Sequence, residues 1–364
     1  MLVSERRRRR GWLVAAELAA VVLLAACGSS GTKTTASSSA APGAPTTTSP
    51  PTKIRLGYFP NITHAPAIVG VDKGLFAAAL GQNTLETATF NAGPEAIEAL
   101  FAESIDATFI GPNPAINAYA KSRGEAVRIV AGTTSGGAYL VVKPEITKVA
   151  DLKGKTLSTP QLGNTQDVAL RKYLKDNGLS FDESGGGDVS ITPLPNADTL
   201  SQFAAGTIDG AWVPEPFATR LQKESAAKVL VDEKTLWPDG KFVTTHLIVA
   251  TRFLQAHPDV VEQLINGLDE SIKFIESSPA DAQKVVNEGI NEVTGKPLKD
   301  TVLSTAFKNL TFTLDPVASS LKTSADNAEA VGLLDPVDLK GIYDLSLLNN
   351  VLKASGQAEV KGLA

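Results

Sequence analysis

Five short turns carry most of the side chains in this chain that suit ligand chemistry, and none of the five contains a lysine or an arginine. The first runs from Phe59 through Asn61, Thr63 and His64. The second holds Asn91 and Gly93, and the third Gly111 and Asn113. The fourth holds Gln161, Asn164, Thr165 and Gln166, and the fifth follows Trp212 with Pro214, Glu215 and Pro216. Each turn stands between an apolar, β-rich run and an amphipathic run, so each would present the unpaired amides of a helix amino end. Amides, hydroxyls and carboxamides without a cation suit an anion held by hydrogen bonds better than a carboxylate gripped by an arginine fork. Sulfonate, sulfate and nitrate groups fit that description, and Phe59 and Trp212 would cover an apolar tail, which favours an organic anion. One helix end contributes about 0.3–1 kcal/mol toward an anion, whereas micromolar binding requires about 8 kcal/mol. Several turns must therefore converge, each charge-assisted hydrogen bond adding about 1.5–3 kcal/mol.

Individual residues have structural readings beside the ligand-binding ones. Asn164 with Asp167 three positions on is a helix-capping pattern, but Gln161, Asn164, Thr165 and Gln166 together exceed what one cap needs, so Asn164 and Thr165 are expected to touch the solute. Glu215 either complements its own helix or faces the cleft, where it would meet an amine on a zwitterion. His64 reads as a neutral hydrogen-bonding side chain, because no candidate nucleophile accompanies it. Trp212 ends an apolar strand and fits a core position as well as a ligand cover. Ser135 and Gly136, in the glycine-rich stretch before an apolar strand, complete the set. Asp106 and Asp209 read as turn formers and are left out of it.

The elements that must position these turns are strands alternating with helices. Residues 104–114 and 207–216 repeat one unit: an amphipathic run, a polar Ile-Asp turn, a short apolar run, then a Pro-X-Pro cluster. Prolines suit the first turn of a helix, so the unit reads helix, turn, strand, turn, helix. Its double use predicts two similar α/β lobes, with ligand bound where strand carboxyl ends meet helix amino ends. Residues 138–143 and 247–250 are expected to be the two strands crossing between lobes. The first lobe is then residues 53–142 with 246–364, and the second is residues 143–245. The chain beyond residue 251 reads as mostly helical, with starts at Pro258, Pro279 and Val317.

Composition narrows the function. A chain of 364 residues with net charge -5 offers no basic stripe for a phosphate backbone, so nucleic acid is not expected as a partner. Three separated histidines, His64, His246 and His257, and a single cysteine, Cys27, leave no metal cluster and no cysteine nucleophile. No Gly-X-Ser-X-Gly elbow occurs, and the glycines at 185–187 do not join a strand to a helix as a phosphate loop would. No catalytic residue, metal or cofactor is therefore expected. Residues 28–52 are almost wholly Ser, Thr, Ala, Pro and Gly and read as a flexible tether.

Arg6 to Arg10, the apolar run from Trp12 to Ala26, and Leu24-Ala25-Ala26-Cys27-Gly28 resemble a bacterial lipoprotein signal with its lipobox. That resemblance implies that residues 1–27 end at a lipidated Cys27, anchoring the protein to the outer face of the cytoplasmic membrane. Downstream, Gly57-Tyr58-Phe59-Pro60-Asn61-Ile62-Thr63-His64-Ala65, Asp72-Lys73-Gly74-Leu75-Phe76, Phe90-Asn91-Ala92-Gly93-Pro94-Glu95, Asp151-Leu152-Lys153-Gly154-Lys155 and Trp212-Val213-Pro214-Glu215-Pro216 resemble the substrate-binding proteins of nitrate, sulfonate and taurine ABC importers. His257-Pro258-Asp259-Val260-Val261 and Asp344-Leu345-Ser346-Leu347-Leu348 extend the likeness toward the carboxyl end. The resemblance implies a type II periplasmic-binding fold, two α/β lobes on a two-strand hinge. It also implies a monomer that closes on a small anion and delivers it to a membrane permease with its cytoplasmic ATPase. Pyrimidine-forming proteins of thiamine synthesis share this fold but use a cysteine-rich motif, which Cys27 alone does not supply. A thiamine-pyrimidine precursor or another small heterocycle is the alternative solute, and a ligand sensor the alternative role.

Overall fold

The computed structural model describes residues 50–182, 184 and 186–363. The expected lipidation site Cys27, the rest of the export segment, most of the tether and Gly185 lie outside the described residues. In chain order the first elements are β1 (Lys53–Tyr58), α1 (Ala65–Asp72), α2 (Leu75–Leu80), β2 (Thr84–Thr89), α3 (Gly93–Phe101), β3 (Ala107–Ile110), α4 (Pro112–Lys121) and β4 (Val127–Gly136). Then come β5 (Ala138–Val142), β6 (Thr156–Thr159), α5 (Thr165–Asp176), β7 (Ser190–Pro193), α6 (Asn196–Ala204), β8 (Gly210–Pro214), α7 (Phe217–Ser225) and β9 (Lys228–Asp232). The chain finishes with β10 (Val243–Ala250), α8 (Thr251–Ala256), α9 (Pro258–Ser277), α10 (Pro279–Thr294), α11 (Asp300–Lys308), β11 (Leu310–Phe312), α12 (Ala318–Ala330) and α13 (Ser346–Ala354).

Two sheets result, ordered β2-β1-β3-β10-β4-β11 and β7-β6-β8-β5-β9. Their plans match. In each, three parallel strands are followed by an antiparallel strand that has arrived from the other sheet's side of the chain. The repeated unit occupies equivalent places, α3-β3-α4 in one lobe and α6-β8-α7 in the other. Its two aspartates do equivalent work. Asp106 accepts the backbone N–H of Arg55 at the start of β1 (3.1 Å), and Asp209 accepts that of Thr156 at the start of β6 (2.9 Å). Each carboxylate also holds a cation, Arg55 or Lys143. These aspartates clamp the amino ends of strands whose opposite ends feed the ligand turns.

The sheet change falls earlier than the sequence suggests. The strand at 138–142, expected to belong to the first lobe, pairs with β8 and β9 in the second sheet. The switch occurs at Gly136 and Gly137, whose φ values of 82° and 75° favour glycine. The return path is residues 233–242, and β10 lies wholly in the first sheet. An apolar run buried on both faces reads as a crossing strand, yet the double glycine is where the chain can turn.

The second lobe buries both faces of its sheet. Leu140, Val142, Leu157 and Trp212 pack to one side with Leu170 and Leu174 of α5, while Tyr139, Val141, Ala211 and Val213 pack to the other with Phe203 and Leu221. Alternation along β5 and β8 decides which residue goes where. The first lobe has one larger core, closed over by α1, α2, α9 and α13.

Candidate functional site

The carboxyl ends of β1, β2 and β3 in one lobe and of β6, β7 and β8 in the other surround one cavity. It is lined by Phe59, Asn61, Thr63, His64, Asn91, Ala92, Gly93, Gly111, Pro114 and Thr244 from the first lobe, and by Pro160, Asn164, Thr165, Gln166, Asn196 and Pro214 from the second. The centre of a water-sized sphere can occupy about 30 Å3 of it, which leaves room for a compact solute of a few heavy atoms. Asn61, His64, Asn164 and Gln166 are all buried, so the lobes stand closed over the cavity. Closure brings Thr165 against Gly111. A β-carbon at Gly111 would fall well inside contact with Thr165 Oγ1, so the bare backbone there is what lets the lobes meet.

In the first turn, Asn61 Oδ1 accepts the backbone N–H (3.0 Å) and the hydroxyl (2.7 Å) of Thr63, capping a short helical turn ahead of α1. The Thr63 carbonyl accepts the hydroxyls of Thr134 (2.7 Å) and Thr245 (3.1 Å), tying the turn to β4 and β10. His64 Nδ1 accepts the backbone N–H of Phe59 (3.2 Å), and its ring lies on the Phe59 ring at 4.3 Å. A neutral imidazole that accepts through Nδ1 carries its proton on Nε2.

Burial keeps that imidazole neutral, lowering its pKa to about 3. The unfolded chain protonates His64 near the ordinary value of about 6.5, so this group stabilises the fold fully above that pH and loses the contribution as pH falls toward 3. Wild type should therefore lose about 2 kcal/mol relative to His64→Gln between pH 7 and pH 5. Urea unfolding of both proteins at the two pH values measures it. A constant difference would mean that the imidazole is not held neutral.

Helices α3 and α4 open at Ala92 and Gly111 with no side-chain cap, and since Pro94, Pro112 and Pro114 carry no N–H, the first-turn amides they can offer are those of Gly93 and Glu95 in α3 and Asn113 in α4. A β-carbon at Gly93 would collide with Pro114, so glycine is required for these two helix ends to lie together. Opposite them, Asn164 Oδ1 caps α5 through Asp167 N (2.9 Å), and Asn164 Nδ2 donates to Gln166 Oε1 (3.1 Å). Asp167 is structural: it accepts from Thr159 Oγ1, Gly163 N and the buried Arg171 Nε at 2.9–3.0 Å. Two buried oxygens of cavity-lining residues, Thr165 Oγ1 and Asn196 Oδ1, have no hydrogen-bond partner among the described residues.

The remaining expected residues sit elsewhere. Trp212 is 0% exposed and points into the core, its Nε1 donating to Glu233 (2.7 Å) and its ring edge-on to Tyr173. Glu215 does not line the cavity; its carboxylate accepts from Thr219 N, Thr219 Oγ1 and Asn309 Nδ2. Burial pushes its carboxyl up, partly offset by those bonds. Asn113 donates to the Ser324 carbonyl in α12. Ser135 and Gly136 belong to β4, where Ser135 donates to Phe242 O (2.6 Å) and Gly136 O accepts from Thr244 (2.5 Å). Gln161 stands outside the lining, in the turn before α5. Asn196 was signalled in sequence by Leu194-Pro195-Asn196 after a strand, the same turn grammar as the others.

Residues 47–288 match the model of the NMT1-like family. The chain belongs to the NMT1-like family. The chain is 28% identical over 197 residues to the taurine-binding periplasmic protein of Escherichia coli (strain K12), across 54% of this chain and 59% of that one. A binding protein of Brucella abortus (strain 2308) is 29% identical over 196 residues, 53% of this chain and 58% of its own length. The chain thus spans less than two thirds of these curated relatives. The alkanesulfonate-binding protein SsuA from Xanthomonas axonopodis pv. citri, solved with MOPS bound, superposes with a TM-score of 0.68 at 22% identity, covering 82% of this chain and all of that one. The NMT1-like chain has the fold of a periplasmic binding protein, two α/β lobes around a cleft.

Proposed function

We propose that this protein is the extracytoplasmic solute-binding component of an ABC importer. It captures a small organic anion of the sulfonate type by lobe closure and delivers it to the permease and its ATPase. The observation that carries this reading is the accounting of polar atoms around the cavity. Asn61 Oδ1, Asn164 Oδ1, Gln166 Oε1 and His64 Nδ1 are all occupied by protein donors. What these residues have left to offer, on Asn61 Nδ2, Gln166 Nε2 and His64 Nε2, are donors, and the uncapped amino ends of α3 and α4 add more. A ring of donors without a cation is matched to a monoanion whose charge is spread over several oxygens. Names of relatives point the same way, since they specify taurine and alkanesulfonates.

His64 is neutral and lacks a nucleophile to activate, which supports capture without chemistry. A lipidated Cys27 on the tether would keep the protein, as a monomer, beside its permease. The ligand must favour the closed form, or binding would signal nothing to that partner. Thermal melting against alkanesulfonates, taurine, nitrate, sulfate and pyrimidines tests the assignment. At a hundredfold above its dissociation constant a true solute adds about 2.7 kcal/mol, a shift of a few degrees for a chain of this size. The largest shift is expected from an alkanesulfonate. No response to any anion alongside a shift with a pyrimidine would move the site to the heterocycle class.

A further inference from the structure

Not every group in the lining is a donor: the Thr63 and Thr244 hydroxyls spend their protons on Asn61 Oδ1 and Gly136 O, and Asn196 carries an acceptor with no partner at all. Asn196 is the first residue of α6, 7% exposed and part of the cavity lining, and its buried Oδ1 has no partner among the described residues. A buried acceptor left unpaired is costly, and a sulfonate, carrying only acceptors on its head group, cannot satisfy it. Thr165, the first residue of α5, occupies the matching place after the neighbouring parallel strand and also has a buried, unpaired oxygen. Its hydroxyl can donate to the anion or accept from the solute, whereas Asn196 Oδ1 can only accept.

From this pairing we infer that Asn196 is a specificity-determining residue that reads a neutral hydrogen-bond donor on the solute, so that the preferred ligand is a hydroxyalkanesulfonate. The inference rests on the sulfonate-capture reading above. The donor is neutral rather than cationic because no carboxylate lines the cavity among the described residues. Glu215, which would meet an amine if it faced the cleft, spends its oxygens on Thr219 and Asn309, and Asp167 spends its own on Thr159, Gly163 and Arg171. An ammonium in the cavity would be buried without a protein counter-charge.

Isothermal titration with 2-hydroxyethanesulfonate, 1-propanesulfonate and taurine tests this, because the first two differ only by hydroxyl against methyl. The hydroxylated anion should bind at least about tenfold tighter than 1-propanesulfonate and at least about tenfold tighter than taurine. In Asn196→Ala the ratio of the first two dissociation constants should collapse toward one. Equal binding of the matched pair by wild type, or tighter binding of 1-propanesulfonate, overturns the inference while leaving sulfonate capture standing, and this comparison does not depend on the variant folding. A ratio that survives in Asn196→Ala assigns the reading to another residue and overturns it too. Taurine binding tightest overturns the neutral-donor assignment. Absence of binding by all three removes the sulfonate reading itself.

Discussion

Trp212→Ala is expected to leave little folded second lobe. Emptying a fully buried indole site costs about 3–5 kcal/mol, and here the change also takes a donor from Glu233, itself buried and fixed by Trp212 (2.7 Å) and Trp237 (3.3 Å). Burial pushes the Glu233 carboxyl up to about 7, and the Trp212 indole is the stronger of the two bonds holding it back. Losing that bond adds about 1–3 kcal/mol, so the sum is comparable with the whole stability of an ordinary domain. Trp212→Phe separates the contributions. It keeps an aromatic ring beside Tyr173 and removes only the donor and part of the volume, so it should unfold at lower urea while the folded protein binds solute within about threefold of wild type. The opposite pattern, normal stability with affinity reduced tenfold or more, would place the indole on the cavity wall and contradict its packing.

Trp212 also shows where reading the sequence reaches its limit. Its strand is apolar throughout and buried on both faces, so no polar side exists to set the phase of the alternation. The turn that follows was legible because Pro214-Glu215-Pro216 punctuates it, but the direction of Glu215 depends on Asn309, far along the chain in the other lobe. Ser135 and Gly136 fail for a different reason. Gly132 to Gly137 has the composition of a loop, yet pairing with β10 and β11 holds residues 132–136 as strand. What could be read were features with local causes. The repeated unit announced two matched lobes through its proline clusters, Asp106 and Asp209 were recognisable as turn residues, and the cap at Asn164 follows from spacing alone. Asn196 obeys the same local rule, opening its helix behind Pro193-Leu194-Pro195, but which side chains of that turn reach the cavity depends on how the two lobes meet.

Gly111→Ala should weaken solute binding on the order of 100-fold while hardly changing the stability of the free protein. Gly111 has φ -71°, a backbone any residue accepts, so alanine introduces no strain within its own lobe. The new methyl meets Thr165 Oγ1 of the opposing lobe, a contact that exists only when the cleft is shut, and overpacking of this kind costs about 1–3 kcal/mol. The signature is a melting temperature without solute close to wild type and a solute-induced shift that nearly vanishes. Thr165→Ala alone should also weaken binding, because it removes a hydroxyl from the cavity, so single variants do not separate steric from polar effects. The double variant does. Without the hydroxyl the nearest remaining Thr165 atom to the added methyl is the β-carbon at 3.4 Å, an ordinary contact, so Gly111→Ala should cost far less in the Thr165→Ala background. A coupling of about 1.4 kcal/mol or more is expected from the cycle, measured on dissociation constants. Strictly additive losses would mean that the two residues do not meet in the bound state, and that solute is held in a cleft more open than this one.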